Sequence, residues 1–223
     1  GSAVSRPHGD CGSPAKDQRD YLILSPFHAM RIHILKPNQK MDVQKKRRKK
    51  MKKTRYFLDM DGTLAEWQVG KEAELLSKGY FRNLRPTFFL QPFREFAKTH
   101  ADRCYILSHC LTDGYAAEDK TGWLNEHFPE IPVTQRFLIP CGVSKADFVM
   151  DLFHLDQIPE NWILFDDYSK NLHAWDSAGG TGLKCYNGIN GNHGTWKQDG
   201  VMWSEDLRAY LREETDKEEH TRC

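Results

Sequence analysis

Chemistry concentrates in this chain at two carboxylates with one residue between them, Asp59 and Asp61 in RYFLDMDGTL (Arg55–Leu64). The apolar residues Tyr56, Phe57 and Leu58 read as a short buried strand, and Gly62-Thr63 turns the chain sharply after it. Both acids are thereby delivered to one sheet edge. Taken alone, DMDGT is also what an ordinary acidic turn looks like. Three further positions change its meaning. Ser108 ends the apolar run Cys104–Ser108, Lys145 begins the helix that follows Arg136–Ile139, and Asp166-Asp167 end Trp162–Asp166. Each has a plain structural alternative: a turn serine, a solvated lysine, a helix cap. Together, at successive strand ends, they bring carboxylates, a hydroxyl and an ammonium toward one point, which describes a site for a phosphate and a cation.

Each residue type has a chemical reason to stand there. Asp59 can attack phosphorus and form an aspartyl-phosphate, splitting one difficult displacement into two easier ones. Asp61, two residues on, is suited to protonate the leaving oxygen and later to deprotonate the attacking water. Clustered carboxylates repel a phosphate unless a hard cation neutralises them. Mg²⁺ held by Asp59, Asp61 through its carbonyl, and Asp166, with Asp167 supporting, meets that need. The expected phosphate-binding set is Gly62, Thr63, Ser108, His109 and Lys145, with backbone N–H groups of the Met60–Thr63 loop assisting. A lysine in the first turn of a helix opposes the helix dipole, so Lys145 is expected to face an anion.

The elements that must position these groups alternate. Candidate strands are Tyr56–Asp59, Cys104–Ser108, Arg136–Ile139, Trp162–Asp166 and Leu183–Tyr186. Between them lie helical faces: Phe93, Phe96, Ala97 and His100; then Ala116, Ala117, Trp123, Leu124 and Phe128, stopped by Pro129; then Phe148 to Leu155, capped by Ser144. A fourth helix, Lys170–Ala178, reads as capped by Ser169 and ended by Gly179-Gly180. This alternation predicts an α/β fold with a Rossmann-like, doubly wound parallel sheet, whose chemistry gathers beyond the carboxyl ends of the strands. The Gly/Asn-rich stretch NGINGNHGTW (Asn187–Trp196) should loop near the same edge, and Ser204–Glu214 reads as a terminal helix.

At 223 residues and 39% hydrophobic, the chain can build one ordinary core. No apolar run is long enough to span a membrane, and a cytoplasmic location is expected. The six cysteines show no CxxC pair and are expected to be reduced thiols. The net charge of +1 conceals an asymmetry: residues 1–53 carry 14 Lys/Arg against 4 Asp/Glu, and 54–223 carry the other 18 against 27. Residues 1–53 are therefore read as a flexible basic leader, its opening Gly-Ser matching a tag remnant. Residues 54–214 are read as the working domain and 215–223 as a charged tail. Lys45–Lys53, KKRRKKMKK, suits a nucleic acid or an acidic surface. A solvated leader is the favoured reading, because no aromatics interleave with the charges.

DMDGT, ILS (Ile106–Ser108), GVSKADF (Gly142–Phe148) and LFDD (Leu164–Asp167) resemble the four motifs of the haloacid dehalogenase (HAD) superfamily, over about Arg55–Trp203. Asp61 is similar to the acid/base aspartate of the superfamily's phosphatases, which its dehalogenases lack. The resemblance implies Mg²⁺-dependent phosphoryl transfer. About 45 residues separate the first two motifs, room for a small helical C1-type cap over about 64–90 and no more. GYFRNLRP (Gly79–Pro86) resembles the segment preceding the second motif of 5'(3')-deoxyribonucleotidases, and AAEDKTGWL after Ser108 is similar in kind. The stretch from Asp166 to Trp196 looks like the C-terminal signature of bacterial and phage nucleotidase-like proteins. These likenesses imply a small phosphorylated substrate, a nucleoside monophosphate, with Trp67, Tyr80 and Phe81 stacking on its base. Packing of those aromatics within the cap is the alternative. Arg85–Phe89 departs from the family's small Pro-Gly turn and Ser108-His109-Cys110 from its Thr-Ser-Pro pattern, departures that bear on specificity more than on chemistry.

Overall fold

The computed structural model describes residues 53–188, 195, 196, 198, 200, 201 and 203–220. The basic leader up to residue 52, the loop 189–194 with His193, and the last three residues lie outside the described residues. Six parallel strands form one sheet in the order β3-β2-β1-β4-β5-β6. They are β1 (Arg55–Leu58), β2 (Cys104–Cys110), β3 (Arg136–Pro140), β4 (Trp162–Asp166), β5 (Thr181–Cys185) and the two-residue β6 (Gly200–Val201). Among the described residues the α-helices that accompany them are α1 (Leu90–His100), α2 (Ala116–His127), α3 (Lys145–Phe153), α4 (Ser169–Ser177) and α5 (Ser204–His220). The expected α/β, Rossmann-like, doubly wound parallel sheet is thus the observed architecture.

Alternation along β1 explains the two layers. Tyr56 and Leu58 enter one core with residues of α1, α2 and α5, among them Phe93, Phe96, Trp123, Leu207 and Leu211. Phe57, pointing the other way, enters a second core with Val149 of α3, Leu172 and Trp175 of α4, and Trp162 of β4. Phe57 is the hub of that side, its ring 5.1 Å from Tyr105 and 4.9 Å from Trp175. Burial on both faces accounts for the continuous apolar run Tyr56–Leu58 in β1 in place of alternation with polar residues. The chain leaves β1 toward β2 on one side and returns to β4 on the other, so the strand order reverses at β1. In such sheets a crevice opens at that reversal, between the carboxyl ends of the two strands.

Local expectations differ from the structure in three places. The segment expected to form a helical cap, 64–90, contains two single-turn 3-10 helices, Glu72–Glu74 and Phe81–Asn83, in place of α-helix. Gly70 and Gly79, both at positive φ, and Pro86 interrupt any longer run. Ser169 does not cap α4. It is the first residue of that helix, buried, with its hydroxyl accepting from Lys184 Nζ at 2.8 Å, and Tyr168 holds the cap position with no side-chain capping bond. The terminal helix runs on to His220, through much of the stretch expected to be a tail. The Ser144 cap is as expected: its Oγ accepts from Asp147 N at 3.2 Å. Cys104, Cys110, Cys141 and Cys185 are free thiols, and among the described residues no helix is long and apolar enough to cross a membrane.

The cap segment is fastened to α2. Trp123 Nε1 donates to Leu84 O at 2.7 Å, Gly79 N to Asp119 Oδ2 at 2.8 Å and Arg82 to Glu126 at 2.8 Å. Arg82 lies so close over Gly122 that a Cβ there would meet its Nη1 at 2.3 Å. The Trp123 bond is fully buried, so Trp123→Phe should leave the Leu84 carbonyl unpaired and cost about 1–3 kcal/mol in urea unfolding. An unchanged midpoint would show that this carbonyl finds another partner.

Candidate functional site

Parallel pairing fixes the first contact of the site. Leu58 stands opposite Phe165 in the β1–β4 register, and Asp59 N donates to Phe165 O at 2.9 Å. Asp59 and Asp166 therefore leave adjacent strands side by side. Lys145, the first residue of α3, reaches both: its Nζ lies 2.5 Å from Asp59 Oδ1 and 2.7 Å from Asp166 Oδ2. Asp166 is held further by Tyr168 N on Oδ1 and Asn171 Nδ2 on Oδ2, each at 2.8 Å. Asp167 Oδ2 accepts from Asn187 Nδ2 at 2.8 Å, and the same amide donates to Gly62 O at 2.9 Å, tying the loop after β5 to the turn after β1. Asp59, Asp166 and Asp167 are all buried, and each offers a carboxylate oxygen within 4.8 Å of the others.

Three buried carboxylates so close together carry more negative charge than the Lys145 ammonium offsets. Burial works to lower the Lys145 pKa, yet Asp166 and Asp59 hold it at about 12, so it remains a cation. Burial also pushes the Asp166 carboxyl up, opposed by Lys145 and reinforced by the repulsion of Asp59. This strained charge balance is what a divalent cation relieves. Oxygen donors alone, in this number and spacing, suit a hard ion such as Mg²⁺.

Gly62 makes the turn that follows the two acids. Its φ of +85 is open to glycine without strain, and a Cβ there would meet Asp167 Oδ2 at 2.4 Å. Gly62 N donates to Ala65 O at 2.7 Å and Thr63 N to Met60 O at 3.3 Å. The N–H groups of Gly62 and Thr63, expected to meet a phosphate, are thus engaged within their own turn. The Thr63 hydroxyl is buried without a hydrogen-bond partner.

Asp61 lies outside the carboxylate trio. Its Oδ2 is ion-paired with Lys120 of α2, while its Oδ1 is buried with no partner among the described residues. Ser108, fully buried, lies two residues before the end of β2, which runs on to Cys110 past the expected end at Ser108, and accepts from Lys120 at 3.1 Å. His109 faces the neighbouring loop, its Nε2 on Val143 O at 2.8 Å, and so is tied to the backbone leading into Lys145. Ser108, Lys145, Asp59, Asp61, Asp166 and Asp167 therefore gather at one end of the sheet. Tyr80 and Phe81 are buried, with ring centres 4.9 Å apart, which corresponds to the cap-packing alternative for both. Tyr80 remains within the influence of Asp61: burial first, then the Asp61 charge, pushes its phenol up to about 12. Trp67 is half-buried where the cap segment begins.

Lys120 was not visible as a site residue in the sequence. It stands four residues after Ala116 and three before Trp123, on the buried stripe of α2, and a lysine on an apolar stripe is the signal that could have marked it. Asn171 and Asn187 carried no such signal.

His109 supplies a pH dependence. Burial, then the charge of Lys145, lowers its pKa, which favours the neutral imidazole in the folded protein. The unfolded chain protonates near pH ~6.5. The stability His109 contributes is therefore present above that pH and is lost as pH falls toward the lower folded value. The melting temperature should drop less between roughly pH 7.5 and 5.5 in His109→Gln than in the wild type. Parallel profiles would show that the drop comes from carboxylates alone.

No protein-family model and no curated protein matches the chain. A solved structure similar to it is a haloacid dehalogenase-like hydrolase from Burkholderia xenovorans, with a TM-score of 0.38 and 16% identity, aligned over 61% of this chain and 62% of that one. The chain thus matches less than two thirds of that structure's length.

Proposed function

We propose that the chain is a Mg²⁺-dependent phosphomonoesterase that works through an aspartyl-phosphate on Asp59 and acts on small phosphorylated substrates, nucleoside monophosphates foremost. The observation that carries this reading is the meeting of Asp59, Asp166, Asp167 and Lys145 at the sheet's reversal point, beside an Asp61 held in a separate environment. The resemblance of the four strand-end motifs to HAD phosphatases supports it, and the nucleotide preference rests on the resemblance of Gly79–Pro86 and Asp166–Trp196.

Asp59 and Asp61 divide the work. An Asp59 oxygen attacks phosphorus as the ester P–O bond breaks, and the electron pair goes to the leaving oxygen, which takes a proton from Asp61. The alcohol departs. Asp61, now a carboxylate, removes a proton from water as that water's oxygen bonds to phosphorus. The acyl-phosphate bond breaks with its electron pair returning to Asp59, and orthophosphate leaves. Lys145 and the Ser108 hydroxyl are placed to hold phosphoryl oxygens, and Lys145 keeps Asp59 aimed by its 2.5 Å contact. Bound to Asp59, Asp166 and Asp167, Mg²⁺ would offset charge on the phosphoryl oxygens and on the carboxylates themselves. Asn171 and Asn187 hold Asp166 and Asp167 in place by their 2.8 Å bonds.

Purified protein with Mg²⁺ should release phosphate from aryl phosphates and nucleoside monophosphates, and chelation should stop it until Mg²⁺ is restored. Asp59→Asn should lower turnover by roughly 10⁴-fold or more, as loss of a nucleophile does. Metal-independent turnover, or full activity in that variant, would contradict the mechanism.

A further inference from the structure

We propose that Lys120 is a positioning residue that fixes Asp61 by one carboxylate oxygen, so that the other, Oδ1, is the oxygen that exchanges the proton with the leaving group and with water. The inference rests on the reading of Asp61 as acid and base. Lysine is almost never fully buried unless paired, and Lys120 is 1% exposed. Its ammonium has three donors and no acceptor. All three have partners: Asp61 Oδ2, the His109 carbonyl at 2.6 Å and Ser108 Oγ at 3.1 Å. The Phe81 ring stands 4.8 Å from Nζ as a further neighbour.

That full complement separates Lys120 from Lys145. A lysine that grips a phosphoryl oxygen must have a donor to give it, whereas Lys120 would have to break an existing bond. Its role is to hold protein groups. The pairing also splits the two Asp61 oxygens: Oδ2 is held, and Oδ1 is buried with no partner among the described residues, able to receive a hydrogen bond from an arriving group. On Ser108, the contact occupies an acceptor site of the hydroxyl, whose own hydrogen donates to the His109 carbonyl at 3.3 Å.

The scaffold behind Lys120 keeps it in register. Asp119, its neighbour in α2, accepts from Gly79 N, and Trp123, three residues on, donates to Leu84 O. The cap segment, α2 and the acid/base carboxylate are therefore joined through one side chain. Asp61 is fixed on its backbone side as well, by the bridge to Ala65 and the bond from Gly62 N to Ala65 O.

The test compares two phosphate esters in the presence of Mg²⁺. With an alkyl phosphate the leaving oxygen needs a proton, and with 2,4-dinitrophenyl phosphate it does not. Lys120→Met, close in length and uncharged, should lose about 10²-fold in kcat/KM on the alkyl ester, the scale of a misplaced general acid, and under about 10-fold in kcat/KM on the dinitrophenyl ester. That constant reads the steps up to departure of the leaving group and not the later attack of water. KM should change little. In an Asp61→Asn background the same substitution should leave the ratio of the two rates unchanged, because the carboxylate it positions is gone. That double variant removes both members of the ion pair, so it decides the matter even if Lys120→Met alone does not fold. Equal losses on both esters, or a further drop of about tenfold in the ratio in the Asp61→Asn background, would overturn the role of Lys120 alone. A wild-type protein inert on both esters, or one whose ratio is unaffected by Asp61→Asn, would overturn the phosphatase reading and the inference with it.

Discussion

The structure depends on the burial of like charges at one point. Asp59, Asp166 and Asp167 sit together at the carboxyl ends of two neighbouring strands, where water cannot screen them, and Lys145 bridges the first two. Buried charges survive only when paired and hydrogen-bonded, and the surroundings follow from that need. Tyr168 N and Asn171 complete the bonding of Asp166. Asn187 ties Asp167 to the Gly62 carbonyl, and a glycine at 62 leaves Asp167 the space it occupies. A cluster held at such cost in desolvation points to use rather than to stability, since an apolar replacement would fold as well or better.

The fold makes the cluster affordable by spreading the requirement over rigid parts. β1 lies at the centre of the sheet, apolar on both faces, with Phe57 packed among Tyr105, Trp162 and Trp175. Asp59 projects from the end of this strand and inherits its fixity. Each of the two acids of DMDGT then meets its own lysine: Asp59 meets Lys145 from α3, and Asp61 meets Lys120 from α2. Those helices cover opposite faces of the sheet. Two neighbouring carboxylates are thus sorted into separate environments, the condition for one to bond phosphorus while the other moves protons.

Much of this was legible because strand ends speak plainly in sequence. Short apolar runs ending in Asp59, Ser108 and Asp166 lie in the sheet as expected, and Ser144 caps α3 through Asp147. What was hidden depends on contacts between distant segments. Lys120 stands out in sequence only by its place on the apolar stripe of α2, and its partners appear once α2 is docked against the cap. Ser169 has the right place for a cap, but Lys184 draws its hydroxyl inward. Tyr80 and Phe81 suggested a stacking surface, and burial turned them into packing. The two residues of β6 are too short to carry any period.

The central claim is that Asp59 carries the phosphoryl group. Protein quenched in acid during turnover of an aryl phosphate with Mg²⁺, then treated with borohydride, should contain homoserine in place of aspartate at position 59, located by mass spectrometry of the peptides. Steady turnover with position 59 unmodified, or with the reduced residue elsewhere, would contradict the account.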